Sequence, residues 1–130
     1  MIVDTSALVA ILRDELDARR YSEAIASADT TRISAANYVE TAAVLNADRE
    51  PVRSRRFDDF LRDARIMIEP VTGIHARIAR EAYRDFGRGS GHAARLNFGD
   101  CFAYALAKEL NEALLFKGDD FIHTDIASAL

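Results

Sequence analysis

The sequence is short of the residues that build disulfide-bonded or many-turned folds. Its 130 residues include one cysteine, two prolines, six glycines and no tryptophan. A single cysteine, Cys101, cannot form an internal disulfide and is typical of a reduced, cytosolic chain. So few prolines and glycines disfavour a β-sandwich with many turns, and they favour long helices.

Targeting and membrane signals are also missing. No window approaches the roughly 18 consecutive apolar residues that a membrane-spanning helix requires. The opening MIVDTSALVAILRDE has an acid, Asp4, as its first charged side chain, and no basic stretch precedes its apolar residues. A secretory signal peptide has the opposite arrangement and a small-residue cleavage site. We therefore expect a soluble cytoplasmic protein.

The composition is that of one globular domain, which we place at residues 1–130. Hydrophobic residues make up 49% and charged residues 29% of the chain, and the net charge is −4. This charge argues against a protein held to nucleic acid by bulk attraction alone. It does not exclude a nuclease, because carboxylates that hold divalent cations lower the net charge where phosphate would bind.

Short apolar segments alternate with segments of helical spacing. Strands are predicted at residues 2–4, 32–34, 65–69 and 113–116, and helices at 6–13, 17–28, 35–47, 51–64, 72–86 and 100–110. The Gly-rich, basic stretch 87–96 is predicted to be a loop, and 118–125 a loop or turn. This alternation predicts a short parallel sheet flanked by helices, an α/β sandwich.

Acids follow the first and last predicted strands directly. Asp4 comes after Ile2 and Val3, and Asp119 and Asp120 come shortly after the last strand. Sites in open α/β sheets form beyond the carboxyl ends of the strands. The alternatives are a helix N-cap for Asp4 and a simple turn for Asp119 and Asp120. One carboxylate at position 4 can both cap a helix and serve a site.

Glu40 lies among apolar neighbours on the predicted helix 35–47. Its neighbours at i−4, i+3 and i+4 are Ala36, Ala43 and Val44. A carboxylate within such a stripe loses hydration and needs a cation or hydrogen-bond donors. The alternative is a residue at the edge of the stripe, with its stem packed and its head in water.

Asp100 opens the predicted helix 100–110. The following residues on its face are apolar, and the preceding Gly99 allows a close approach of the backbone. Taken alone, Asp100 is an ordinary helix cap. It is also expected at the same edge of the sheet as Asp4, if its helix runs antiparallel to the strand that follows it.

Three or four carboxylates gathered at one edge would repel one another without a divalent cation. Oxygen ligands are those that Mg²⁺ or Mn²⁺ prefers, and no His or Cys pair with zinc-ligand spacing lies nearby. Such an ion lowers the pKa of bound water and stabilises an in-line phosphoryl displacement. The pattern therefore predicts metal-dependent phosphoryl chemistry.

Four segments resemble the motifs of PIN-domain nucleases, in the form that VapC toxins carry. They are I-V-D-T-S-A-L with Asp4, S-A-A-N-Y-V-E-T-A with Glu40, L-N-F-G-D-C-F-A-Y-A-L-A with Asp100, and L-L-F-K-G-D-D-F-I-H-T-D-I with Asp119 and Asp120. The resemblance spans almost the whole chain and keeps the order and spacing of all four motifs. It implies a PIN-like three-layer α/β/α sandwich.

The resemblance also implies a function and a metal site. The function is that of an endoribonuclease toxin, dependent on Mg²⁺ or Mn²⁺, that cuts RNA and inhibits translation and growth. Asp4 and Asp100 would be the chief metal ligands. Glu40 would bind metal directly or through water and orient the attacking water. The fourth acid would be Asp120, although the adjacent Asp119 could substitute for it.

Further residues and partners follow from the same resemblance. Thr5 or Ser6 would support the site by hydrogen bonds. A VapB antitoxin would wrap the toxin and block the acidic site, and two toxin copies would form a homodimer.

Basic residues near the acids are candidates for RNA contact. Arg88 and Arg95 lie in the glycine-containing loop before Asp100, where they either bind phosphates or belong to a mobile solvated loop. Lys117, next to the acidic pair, either holds a phosphate or neutralises carboxylates.

Two other functions remain open at this point. An α/β phosphoacceptor or phosphatase domain would also use an Asp after its first strand and a Lys after a late one. However, Asp4 is followed by Thr5 and Ser6 rather than by a second nearby acid. A non-catalytic binding module, in which the acids serve only as caps and turns, is the other alternative.

Overall fold

Four short parallel strands form the centre of the structure, a computed structural model that describes all 130 residues. The strands are β1 (Ile2–Val3), β2 (Arg32–Ser34), β3 (Met67–Glu69) and β4 (Leu114–Leu115). The helices are α1 (Thr5–Leu12), α2 (Ala18–Ser27), α3 (Ala35–Ala47), α4 (Pro51–Asp63), α5 (Gly73–Phe86) and α6 (Phe98–Leu110), and a 3₁₀ turn covers Phe121–His123.

The strand order is β3-β2-β1-β4, so the first and last strands lie side by side. Ile2 pairs with Leu114, and Val3 pairs with Leu115. One residue further, the Asp4 N–H donates to the Leu115 carbonyl at 2.9 Å. The predicted convergence of chain segments is therefore confirmed: the residues after β1 and the residues after β4 leave the sheet at the same edge.

A separate hydrophobic core covers each face of the sheet. Val3 and Leu115 belong to the core built with α1, α2, α3 and α4, whereas Ile2 and Leu114 belong to the core built with α5 and α6. Successive strand residues point to opposite faces, so even a two-residue strand contributes to both cores. This arrangement is the three-layer α/β/α sandwich that the resemblance implied.

The element types agree with the sequence-based predictions. The difference in bounds that affects the candidate site is the start of α6. The strands at 2–4 and 113–116 are shorter than expected, and α6 begins at Phe98 rather than at residue 100. The cap of α6 is Asn97, whose side chain accepts from the Asp100 N–H. The expectation that Asp100 is itself the cap was wrong, because Asn97 fulfils that role and places Asp100 within the first turn.

The length and composition of the helices also differ from those of a membrane-spanning helix. None of the six helices combines the length and the apolar composition that crossing a bilayer would demand.

The sheet should depend strongly on its central apolar residues. Ile33 in β2 is completely buried, so Ile33→Ala would leave a cavity and lower the free energy of unfolding by about 3 kcal/mol. The control is Val52→Ala, at a side chain that is 58% exposed, for which we expect almost no change. Urea denaturation followed by circular dichroism measures both, and equal effects would contradict the described core.

Candidate active site

Asp4 stands where β1 ends and α1 begins, and it is almost completely buried. The Ser6 N–H and the Ser6 hydroxyl both donate to Asp4 Oδ2, at 2.9 and 2.6 Å. The cap reading of this residue is thus correct. The other oxygen, Asp4 Oδ1, is buried without any hydrogen-bond partner. A buried carboxylate oxygen with no donor is costly, so this atom requires a further ligand.

Asp100 is held in the first turn of α6 by a reciprocal pair of hydrogen bonds. The Asn97 N–H donates to Asp100 Oδ2 at 2.8 Å, and the Asp100 N–H donates to the Asn97 side-chain oxygen at 2.8 Å. The Asp100 side chain is only 8% exposed. Sequence reasoning missed Asn97. Its signal was an Asn three residues before an acid at a helix start, which is the spacing of a capping box.

Glu40 is part of the same site and is half-buried, as are its neighbours Ala36 and Val44, whereas Ala43 is exposed. The fully buried side of α3 consists of Asn37, Thr41 and Leu45. The expected partial loss of hydration at Glu40 is therefore confirmed, although its apolar neighbours lie beside the fully buried side of the helix.

Hydrogen-bond donors, one of the two kinds of partner expected for Glu40, orient its carboxylate. The Thr5 hydroxyl and the Asn37 amide donate to Glu40 Oε2, at 2.5 and 3.1 Å. Asn37, which sequence reasoning also missed, shares the buried side of α3 with Thr41 and Leu45.

Gly99 allows Glu40 to approach α6 closely. The Asn37 amide also donates to the Gly99 carbonyl, at 3.0 Å, which ties α3 to the start of α6. A Cβ atom at position 99 would lie 2.0 Å from Glu40 Oε1, so only glycine leaves room for this carboxylate in its present place. The expectation that Gly99 permits a close approach is confirmed.

One pocket of about 270 Å³, which we call the acidic pocket, collects most of the predicted site residues. Its lining comprises Asp4, Thr5, Ser6, Val9, Glu40, Val44, Asn97, Asp100, Lys117, Asp120 and Phe121. Asp119 is exposed and is not among the lining residues. Of the two adjacent acids after β4, the structure therefore brings Asp120, and not Asp119, to the other carboxylates.

Crowding and burial change the proton affinity of the two innermost acids. Burial is the main cause that raises the pKa of Asp4 to about 6, with a smaller contribution from the charge of Glu40. Burial also raises the pKa of Asp100 to about 7, and the charges of Asp4, Asp120 and Glu40 add to the effect. Ionisation of these two carboxyl groups is therefore unfavourable unless a cation binds in the pocket.

The donor set fits a hard divalent cation. Every ionisable side chain of the pocket except Lys117 is a carboxylate, and Asp4 Oδ1 lacks a partner. No three carboxylate, histidine or cysteine side chains are yet gathered tightly enough to chelate one ion. Asp4 and Asp100, buried together and mutually repelling, are the pair best placed to hold a cation.

The predicted supporting residues have clear contacts. Ser6 binds Asp4 as described, and its hydroxyl oxygen also accepts from the Lys117 N–H at 3.0 Å. Thr5 binds Glu40, and its hydroxyl accepts from Thr41 at 3.3 Å. Thr5 and Ser6 are therefore placed as the expectation of supporting residues requires.

The predicted basic residues are less well placed. The ammonium group of Lys117 binds Glu15 and Asp17, the latter at 2.8 Å, in the connection between α1 and α2. Lys117 thus neutralises carboxylates, but not those of the pocket. Arg88 and Arg95 are exposed and do not line the acidic pocket.

Comparison with known proteins identifies the family. The PIN domain model matches residues 1–127. The chain is 58% identical over 130 residues to Ribonuclease VapC28 of Mycobacterium tuberculosis, covering 100% of this chain and 98% of that one. It is 52% identical over 129 residues to Ribonuclease VapC42 of the same species, covering 99% and 98% of the two chains.

Solved structures share the fold. The crystal structure of Mycobacterium tuberculosis VapC20, described as a Sarcin-Ricin loop cleaving toxin, has a TM-score of 0.76 and 17% identity, over 97% of this chain and 95% of that one. A toxin-antitoxin complex from Klebsiella pneumoniae gives a TM-score of 0.72 and 16% identity, over 95% and 92%. With a domain model over nearly its full length and relatives above half identity, the chain belongs to the PIN-domain family and, within it, to the VapC ribonucleases.

Proposed function

We propose that the acidic pocket is the active site of an endoribonuclease toxin that depends on Mg²⁺ or Mn²⁺, cuts RNA and so inhibits translation and growth. The observation that carries the proposal is the burial of Asp4 and Asp100 in one pocket, with Asp4 Oδ1 lacking a partner. Two buried carboxylates in one pocket are unfavourable when both are ionised, and a bound cation would remove that cost.

Each residue of the acidic pocket has a separate role in this proposal. Asp4 and Asp100 would hold the cation, which supplies an activated water and neutralises charge on the phosphoryl oxygens. Ser6 and Asn97 fix these two carboxylates by the hydrogen bonds described above. Glu40, oriented by Thr5, orients the attacking water from the side of α3. Asp120 completes the negative lining of the pocket.

Partners and location belong to the same proposal. A VapB-like antitoxin would neutralise the toxin by covering the acidic pocket, and the protein would act in the cytoplasm. A second copy of the chain would form a homodimer next to the site. Val39 and Phe98 are 64% and 75% exposed and line a shallow groove that also contains Glu40, which supports a protein contact there.

The first test is RNA cleavage by variants of the acids. We expect Asp100→Asn to reduce cleavage at least about 100-fold, because it removes a charge that the metal requires. Asp120→Asn should lower cleavage by a smaller factor, whereas Asp119→Asn should leave it unchanged, since only Asp120 lines the pocket. Gel analysis of cellular RNA after induced expression measures this. If Asp100→Asn cut as the wild type does, the acids would be caps and turns of a binding module.

A second test uses stability and pH in the absence of RNA. Because the folded pKa values of Asp4 and Asp100 are raised to about 6 and 7, the folded state favours their protonated forms. Their contribution to stability is therefore present below about pH 4 and is lost as the pH rises towards 7. At pH 8 without metal, Asp100→Asn should be more stable than the wild type by on the order of 2 kcal/mol.

Magnesium should reverse this order. Added Mg²⁺ is expected to raise the melting temperature of the wild type at pH 8 and to have little effect on Asp100→Asn, because binding stabilises only a fold with an intact site. Asp119→Asn, which alters a carboxylate outside the pocket, serves as the control and should respond like the wild type. An equal response to Mg²⁺ in Asp100→Asn and the wild type would remove Asp100 from the metal site.

The homodimer is tested by a change at its proposed contact. Phe98→Asp would place a charge in the exposed apolar groove, so the mass measured by light scattering should fall from two chains to one. Leu16→Asp, at an exposed leucine in the connection between α1 and α2, is the control and should remain dimeric. A wild type that is monomeric at micromolar concentration would contradict the proposed dimer.

A further inference from the structure

Three arginines share one side of α5. Arg77, Arg80 and Arg84 follow one another at intervals of three and four residues, which places them on the same helix face, along a length of about 10 Å. Together with Glu81 they line a cleft of about 470 Å³, here called the arginine cleft. No apolar residue contributes to its lining.

The charge of the arginine cleft is only partly compensated within the chain, by Glu81 in its lining and by Asp85 beside Arg84. Arg84 pairs with its neighbour Asp85, whereas Arg77 and Arg80 make no ion pair and no hydrogen bond. Some of the other arginines are bound by carboxylates, among them Arg13, Arg32, Arg53 and Arg56, whereas others, such as Arg20 and Arg55, also make no ion pair. In a chain with a net charge of −4, two adjacent free guanidinium groups form a local positive surface.

The fold places this surface beside the helix that carries Asp100. The end of α5 meets the segment leading into α6, where the Leu96 N–H donates to the Phe86 carbonyl at 2.8 Å. Arg80 also lines a neighbouring groove together with Phe98, which is two residues before Asp100. The arginine cleft is therefore outside the acidic pocket, on a helix that packs against α6, and Arg80 connects it to the groove that contains Phe98.

We propose that the arginine cleft binds the phosphate backbone of the RNA substrate and holds it for cleavage in the acidic pocket. The proposal rests on the ribonuclease function proposed above. A guanidinium group donates two parallel hydrogen bonds to a phosphate, and arginine stays charged at every physiological pH. A protein-docking site would have an apolar centre, which this cleft lacks.

A separate anchoring site follows from the charges of the enzyme. The acidic pocket repels phosphate before its cation is bound, and the net charge provides no general attraction. Backbone contacts at Arg77 and Arg80 would supply affinity without base specificity, leaving sequence selection to other contacts. Of the arginines predicted from the sequence, Arg88 and Arg95 are not needed for this surface.

The test measures binding and cleavage separately. Binding of a fluorescein-labelled, mixed-sequence single-stranded RNA is followed by anisotropy in an Asp100→Asn background, so that the RNA stays intact. We expect Arg77→Gln/Arg80→Gln to weaken binding about tenfold at low salt and to reduce the slope of log K against log salt by about 1.4, which is two phosphate contacts. In the cleaving enzyme the same pair should raise KM and leave kcat unchanged.

Matched variants control for charge and folding. Arg20→Gln/Arg55→Gln removes two other exposed arginines that make no ion pair, and it should bind RNA like its parent. Arg77→Lys/Arg80→Lys keeps the charge and should keep most of the salt dependence. Melting curves of all variants show whether they are folded.

Three results would overturn the proposal. One is an unchanged affinity and salt slope in Arg77→Gln/Arg80→Gln. Another is an equal loss in the Arg20→Gln/Arg55→Gln control. The third is a change of oligomeric state in light scattering, which would assign the cleft to a second copy of the chain. A wild type that does not cut RNA at all would instead refute the proposed function, so the two failures are distinguishable.

Discussion

The site depends on the burial of two like charges at one edge of a very small sheet. Asp4 and Asp100 are almost excluded from water and lie close enough for the charge of Asp4 to raise the pKa of Asp100. This cost is partly offset because backbone N–H groups at two helix starts donate hydrogen bonds to the two carboxylates. In the proposed function this cost would favour a bound cation, because the ion would gain the attraction that the protein alone does not satisfy. Local stability would then be lost in exchange for a metal site.

The surroundings of these two acids can be understood as consequences of that constraint. Ser6 and Asn97 supply donors to one oxygen of each carboxylate, which leaves the remaining oxygens for the pocket. Glu40 comes from a different helix, is held by hydrogen bonds from Thr5 and Asn37, and occupies the room that Gly99 leaves. These contacts connect three elements that are distant in sequence around the acidic pocket, namely β1, α3 and α6.

Much of this could be predicted from the sequence, for identifiable reasons. The alternation of strands and helices determined the sheet, and acids directly after apolar strands pointed to its functional edge. The helix start at Phe98 was not predicted, because the capping pair of Asn97 and Asp100 depends on side-chain hydrogen bonds rather than on periodicity. Glu40 was singled out because its helical neighbours are apolar, whereas its hydrogen-bond donors, Thr5 and Asn37, could not be identified from periodicity. For Lys117 the sequence left phosphate binding and the neutralisation of carboxylates open, because its partners, Glu15 and Asp17, are distant in sequence.

The brevity of β1 has a consequence for how the chain tolerates change. Two residues, Ile2 and Val3, pair with β4, and each faces a different core. A shift of this pairing by one residue would exchange the two faces and turn Asp4 away from Asp100 at the same time. Insertion or deletion of a single residue between Ile2 and Asp4 therefore damages folding and chemistry together. The spacing of this segment is under as strict a constraint as the identity of its acid.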